Sequence, residues 1–430
     1  MIRLIKLFLL IFLLSVDFYL FPSLSHADPL VFLSTQLTPV EEADKMRRII
    51  LKGYPGEVDF LPNDNNLKIL QLSFDKDRAG KNPGLFGGLH GDILSLAKSG
   101  KLADVSQVLL NTEGKEFIDK FANMSRMADG SRVFIPWMQA TYIMAANRKA
   151  LRYLPKNVDI NRLTYDQFVA WGANINKGTG EPKIGFPVAR NGLMHRFIQG
   201  YLYPSYTGGM VRKFRAPETF AMWEMMRNLW RYTTPRSLTF SHMHEPLRTG
   251  EVWVAWDHTE RIMPVVKERP DDFVIFPVPA GPNGRGFMVV LAGLAVPKSA
   301  PDLAASISLA NYLTRTDVQM KTLRHIGFFP VVLTENDVSI PPGLAAVKNA
   351  VSRQAIAPDA IPALLPTGLG KRGRDFNAIY LATFSRIVLR GKDIGTILNN
   401  QLKKLRAVIE DAGAACWVPD LPSNGPCPIE

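Results

Sequence analysis

"PLVFLSTQLTPVEEADKMRRIILKGYPGEVDFLP", residues 29–62, changes period twice. "PLVFLST" is a short apolar run of the kind that forms a buried strand. Val40, Ala43, Met46, Ile49 and Ile50 then recur at helical spacing until Gly53-Tyr54-Pro55-Gly56 stops the pattern. "EVDFLP" is strand-like again. Strand, helix, strand opens an α/β layer.

The same grammar continues outward. "NLKILQLSF" (66–74) reads as another strand, and "DILSLAKSGKLADVS" as a short helix ending at Gly100. "GSRVFIPWMQATYIMAANRKAL" (130–151) begins as an apolar strand and passes into an alternating run. "TYDQFVAWGANINKGTG" is a helix, "IGFPVAR" a strand, and "PETFAMWEMMRNLWRY" a helix whose Phe220, Trp223, Met226 and Trp230 form a packing face. "FVIFPVPAGPNGRGFMVVLAGLAVP" is strand, loop, strand. "PDLAASISLANYLTRTDVQMKTLRHIG" reads as one long amphipathic helix, and two more follow from Asp375 to Gly413. Strands cluster early and helices late, so the chain is expected to cross between two lobes more than once.

A length of 430 residues exceeds one compact core, so two domains are the default. Residues 1–27 stand apart. Arg3 and Lys6 give a positive start, Leu4 to Phe21 is almost wholly apolar, and Ser25-His26-Ala27 carries the small-x-small pattern of signal cleavage after Ala27. An uncleaved anchor is disfavoured, because the run lies near the roughly 18-residue spanning limit and Asp17 interrupts it. No Cys stands near the cut to take a lipid. Export to the periplasm is the expectation. Losing Arg3, Lys6 and Asp17 lowers the formal charge from +12 to +11. These basic residues are scattered rather than clustered, which argues against nucleic acid. The two cysteines, Cys416 and Cys427, lie in "CWVPDLPSNGPC", and in an oxidising compartment they are expected to form a disulfide that pins the tail.

Signatures of common enzymes are absent: there is no G-x-S-x-G, no G-x-x-x-x-G-K and no H-E-x-x-H. His242-Met243-His244-Glu245 lacks the i, i+4 spacing that makes two histidines converge on a metal, so no metal and no cofactor are expected. Aromatic and polar residues at strand ends are more informative. Trp137, Gln139 and Tyr142 surround one such end, His90 and Asp92 sit in "FGGLHGD", and "WDHTER" (256–261) follows another. Ligands of open α/β sheets bind outside the carboxyl ends of strands. Flat aromatic faces and hydrogen-bonding side chains placed there suit a polyol.

These segments resemble the extracellular solute-binding proteins of sugar-importing ABC transporters, the maltose-binding-like group. The likeness is greatest from Leu247 to Thr314, with "GLHGD", "PWMQATYIMAANRKAL" and "GFFPVV" as further matching stretches. The resemblance implies a two-lobed class II periplasmic-binding-protein fold, hinge strands, a ligand cleft between the lobes and delivery to the permease subunits of an ABC importer by a monomer. Residues 28–138 and 290–335 would form one lobe, and 139–289 and 336–430 the other. Carried over position by position, the ligand-binding set is Gln36, His90, Asp92, Trp137, Gln139, Tyr142, Asn191, Trp256, Asp257, His258, Arg261, Gly293, Arg374 and Phe376. Where maltose binders offer tryptophans, this chain has Gly88 and Ala378 or their neighbours, so a small sugar or polyol is preferred to a long maltodextrin.

The same residues admit plainer roles: Trp256, Trp137 and Tyr142 as core, Asp257 as a helix cap, Arg374 as a solvated charge. If Arg261 and Arg374 both face the cleft, an anionic solute such as a glycerol phosphate becomes eligible. A secreted glycan-processing enzyme using Asp257 with a second carboxylate is the rival from another class. An adhesin is disfavoured because no repeat is present.

Overall fold

In the computed structural model, which describes residues 28–75, 82–127, 130–335 and 340–430, the opening strand and the third element pair in parallel across the helix between them. The expected export signal, residues 1–27, lies outside the described residues. The strands are β1 (Leu30–Ser34), β2 (Val58–Pro62), β3 (Leu85–Leu89), β4 (Ile135–Asn147), β5 (Ile184–Gly185), β6 (Val254–His258), β7 (Phe273–Phe276), β8 (Arg285–Ala295) and β9 (Ala360–Leu364). The helices needed below are α1 (Val40–Lys45), α2 (Asn66–Asp75), α3 (His90–Ala97), α4 (Tyr165–Thr179), α5 (Met194–Phe197), α6 (Pro217–Trp230), α7 (His244–Thr249) and α8 (Thr259–Glu268). They continue with α9 (Leu303–Thr314), α10 (Thr316–His325), α11 (Pro342–Ile356), α12 (Gly373–Phe384) and α13 (Ile394–Ala412).

The sheet runs β2-β1-β3-β8-β4-β6-β5, with β7 added to β4 and β9 to β8. Two long strands make it a two-lobed object. The first half of β4 pairs with β8, from Ile135 to Thr141, and its second half pairs with β6 from Tyr142 to Ala146. β8 likewise begins against β9 and ends against β3. Each strand therefore belongs to both lobes, and the sheet between β1–β3 and β5–β7 is the hinge. Every residue of β4 is buried, as a strand covered on both faces requires. Its register slips at Trp137, where a bulge separates Pro136 from Met138.

Three local expectations are corrected. "NLKILQLSF" is helix α2, not a strand. Asn66 donates to the Ser34 and Leu61 carbonyls and anchors the turn that starts it, and Leu67 and Leu70, three apart, face the core. Ile69 and Leu72, also three apart, lie on its exposed face. The long amphipathic helix is two helices, because Arg315 adopts an extended conformation between α9 and α10. "IGFPVAR" supplies only the two residues of β5.

The tail is held as expected by the Cys416–Cys427 disulfide. A second fastening was not legible in the sequence: the Asp420 carboxylate accepts from the backbone N–H groups of Met210, Val211 and Arg212 at 2.8, 2.8 and 3.1 Å. Among the described residues no helix is long and apolar enough to cross a membrane.

Candidate functional site

Helix α3 starts directly at the end of β3, so His90 and Asp92 stand at a strand's carboxyl end. They meet the loop after β9 and the start of α12 from the other lobe. The approach is close: a Cβ on Gly91 would lie 2.3 Å from Thr367 Cγ2, so only glycine lets the two lobes touch there. Beside this contact lies a cavity of about 390 Å³, lined by His90, Asp92, Arg196, Thr367 and Asn377. A second interlobe cavity, of about 420 Å³, is lined by Glu42, Ala140, His258, Glu260, Arg324 and Phe329.

A seam of polar groups joins the two. The His258 ring stands edge-on to Tyr142 at 5.0 Å. Burial raises the pKa of the Tyr142 phenol, and the charges of Arg196, Arg261 and Asp257 all act on it. His195, next in sequence to Arg196, is pushed down to about 3 by burial and by Arg196 and Arg261. Burial pushes His90 and His258 down to about 4. All three imidazoles are thus neutral at pH 7. His258 Nδ1 accepts from the Glu260 N–H as the N-cap of α8, which leaves Nε2 to carry the proton. His90 Nε2 lies 3.3 Å from the Met124 carbonyl, which selects the Nε2–H tautomer and leaves Nδ1 with no partner.

The expected site residues separate into three groups. His90, Asp92 and His258 line the cavities, and Tyr142 and Arg261 flank the seam between them. A second group is structural in its contacts. Trp137 packs on Phe32 at 5.6 Å, and its carbonyl accepts from Gln319. Gln139 donates to the Pro330 carbonyl at 2.8 Å, tying β4 to the segment after α10. Trp256 is wholly buried and stacked on Tyr142, and Phe376 packs on Tyr380 and Trp417. A Cβ on Gly293 would fall 2.0 Å from Phe134, so that glycine serves close packing. Gln36, Asn191 and Arg374 form the third group. Gln36 bonds to Thr35 at the end of β1, Asn191 is exposed and offers its carbonyl to Arg261 at 3.4 Å, and Arg374 is exposed on α12.

Asp257 is neither a helix cap nor a ligand-facing acid. It is fully buried, with Oδ2 accepting from Met243 N–H and Oδ1 from His258 N–H, and Arg261 at 3.9 Å. Burial pushes its pKa up to about 7 against those contacts. Sequence reasoning missed Arg196 and Asn377, and left Glu260 of "WDHTER" out of the ligand-binding set. For Arg196 a signal existed: it is a lone charge entering "FIQGYLYPSYT", a run buried almost throughout.

A further concavity, of about 870 Å³, lies between Lys183, Arg236, His242, His244 and Glu245. Its histidine rings are 6.1 Å apart, and Glu245 is paired with Arg248. It is an open face with nothing across it, so the interlobe cavities are the better site. Among the described residues no three His, Cys, Asp or Glu gather as a metal site.

The neutral state of His195 has a measurable consequence. The unfolded chain takes a proton on this imidazole near its ordinary 6.5, whereas the folded protein resists until about 3. Stability is therefore lost through this group as pH falls below about 6.5. Urea melts of the wild type and His195→Gln between pH 7.5 and 4.5 should show the wild type losing ground on acidification, by up to one proton per molecule. A constant difference across that range would mean that His195 takes up its proton as readily in the folded state as in the unfolded one.

The family described as bacterial extracellular solute-binding protein matches residues 75–349, well over half of the chain. Among solved structures, the chain is similar to UgpB from Mycobacterium tuberculosis in complex with glycerophosphocholine, at 19% identity over 90% of this chain and 99% of that one, with a TM-score of 0.60. It is similar to the bacterial solute receptor AcbH, whose stated preference is for β-D-galactopyranose, at 14% identity over 88% and 98%, with a TM-score of 0.69. It is also similar to maltose-bound T. maritima MalE3, at 17% identity over 88% and 99%, with a TM-score of 0.59. A search of curated protein sequences returned no match. At these identities the solved structures speak for the fold, which is the two-lobed periplasmic-binding-protein fold, and the match over residues 75–349 places this chain among the bacterial extracellular solute-binding proteins.

Proposed function

We propose that this protein binds a small sugar or polyol in the interlobe cleft and hands it to the permease of an ABC importer. The observation that carries the reading is the first cavity. Two lobes joined by shared strands place His90 and Asp92 opposite Arg196 and Asn377 around one space of about 390 Å³, within the range of about 300–1,000 Å³ usual for small-molecule sites. Carboxylate, amide, imidazole and guanidinium groups together answer the mixed donor and acceptor pattern of hydroxyls. Lobe boundaries near residues 138, 290 and 335, export with cleavage after Ala27, a periplasmic location and a monomeric state belong to the same proposal.

The rival reading, a glycan-processing enzyme, needs a carboxylic acid that can reach a glycosidic oxygen. The raised pKa of Asp257 suits such an acid, but its buried position does not, since both oxygens are taken by backbone N–H groups. Thermal shift and calorimetry with glucose, galactose, maltose and sorbitol, with chromatography of the mixtures, test the proposal. A binder raises its Tm with one of them and returns it intact. Consumption of a sugar, with product released, would sink the binding-only reading.

A further inference from the structure

Arg196 is less well matched than Arg285, Arg132 and Arg261. Arg285 is buried and donates to the Val278 carbonyl, with Asp359 at 3.6 Å. Arg132 donates to Ala122 and Ser125, and Arg261 to the Ser241 and Asn191 carbonyls. Among the described residues Arg196 has no side-chain hydrogen-bond partner and no carboxylate within ion-pair distance, and its Nη1 is buried with nothing to donate to. Burial lowers its pKa, and the sole opposing influence comes from the Tyr142 phenol. Sheltering a cation without a counter-charge is costly, and such groups collect where a ligand completes them. The unmatched cation borders the interlobe cavity.

The same cavity receives the start of α12. Gly373 lines it, the helix has no side-chain N-cap, and a Cβ at Gly373 would meet only Leu369 at 3.9 Å. A 3-10 turn over Gly370–Arg372 runs into this helix and its Gly370 carbonyl takes the Gly373 N–H, so Arg196 is the group here that favours negative charge. Asp92, in the first turn of α3, is the acidic side chain of this cavity and comes from the other lobe. It would repel an anion and accept hydroxyls. The cavity has a cationic end on one lobe and a hydroxyl-accepting end on the other.

We propose that the solute is an acid: a hydroxylated carbon chain or ring bearing one compact oxyanion, a carboxylate or a phosphate, held by Arg196 while its hydroxyls meet Asp92. This rests on the reading that the interlobe cavity takes the ligand. It replaces the pair expected from the sequence, since Arg374 is exposed and Arg261 is already bonded. It also gives closure a driving force, because one molecule must satisfy Arg196 and Asp92 from opposite lobes.

The test is calorimetry on the mature chain with matched pairs, D-glucuronate against D-glucose and glycerol 3-phosphate against glycerol. The first pair reports on a carboxylate and the second on a phosphate. A charge-assisted hydrogen bond predicts that an acid binds about 10- to 150-fold more tightly than its neutral twin. Arg196→Met should remove that advantage, and Arg196→Lys, which keeps the charge but not the planar fork, should retain part of it. Equal affinity for acid and twin, or an unchanged acid affinity in Arg196→Met, overturns the inference and leaves the cleft reading standing. Binding of neither member of either pair overturns the inference, and overturns the cleft reading as well if galactose, maltose and sorbitol also fail to bind. If Arg196→Met does not fold, by circular dichroism, the wild-type comparison and Arg196→Lys decide.

Discussion

Trp256→Ala should destabilise the fold by about 3–5 kcal/mol, the usual cost of truncating a fully buried aromatic side chain. The indole has no exposed surface. One face is stacked on Tyr142, at 5.0 Å between centroids and 5° between planes. Phe197 and Tyr201 meet it edge-on at 5.0 and 5.2 Å. No ring face remains for a sugar, so the loss falls on the folded state before it falls on the ligand. Urea denaturation of the two proteins measures it. A change below about 1 kcal/mol, with a large fall in ligand affinity, would mean that the ring turns outward to serve the site and that its burial here is not its working position.

Asp420→Ala should cost a similar amount, about 3–5 kcal/mol, although it lies far along the chain from any cavity. Its carboxylate accepts from three successive backbone N–H groups, at Met210, Val211 and Arg212, and is nearly buried. Alanine would leave those donors with no acceptor, and each unsatisfied buried donor costs about 1–3 kcal/mol, less where water enters. The tail would then hang on the disulfide, on Trp417, which packs on Phe376, and on bonds to the body such as Leu364 N–H to the Val418 carbonyl, Glu430 N–H to the Arg212 carbonyl and Arg406 to the Ile429 carbonyl. Unfolding monitored in non-reducing buffer separates the two fastenings. A destabilisation under about 1 kcal/mol would show the tail to be a passenger on the second lobe.

Much of this architecture was legible residue by residue, because it depends on short-range periods. The β1, α1 and β2 elements follow from one change of spacing in residues 29–62, and the Cys416–Cys427 bridge from two cysteines in an exported chain. Where short-range pattern failed, a distant partner had intervened. α2 looked like a strand until Asn66 found the carbonyls of Ser34 and Leu61. Residues 66–74 carry too little apolar contrast to choose a period alone.

The site divides the same way. Strand ends and Gly-rich turns drew attention to His90, Asp92, Tyr142 and His258, because chain chemistry at such ends is visible in one dimension. The direction of a side chain is not: along β6, Val254 to His258 alternate, and which alternation faces packing depends on what covers the sheet. Trp256 met Tyr142 and Asp257 met Met243, partners 114 and 14 residues away, and both left the ligand side. Arg196 could acquire meaning only when α3 of one lobe came to face α5 and α12 of the other. By itself the sequence determined most of the elements, the pairing of its two cysteines and the family likeness. Tertiary structure alone decided which charged group was left without a partner, because pairing depends on distance in space, and two lobes that share β4 and β8 set that distance.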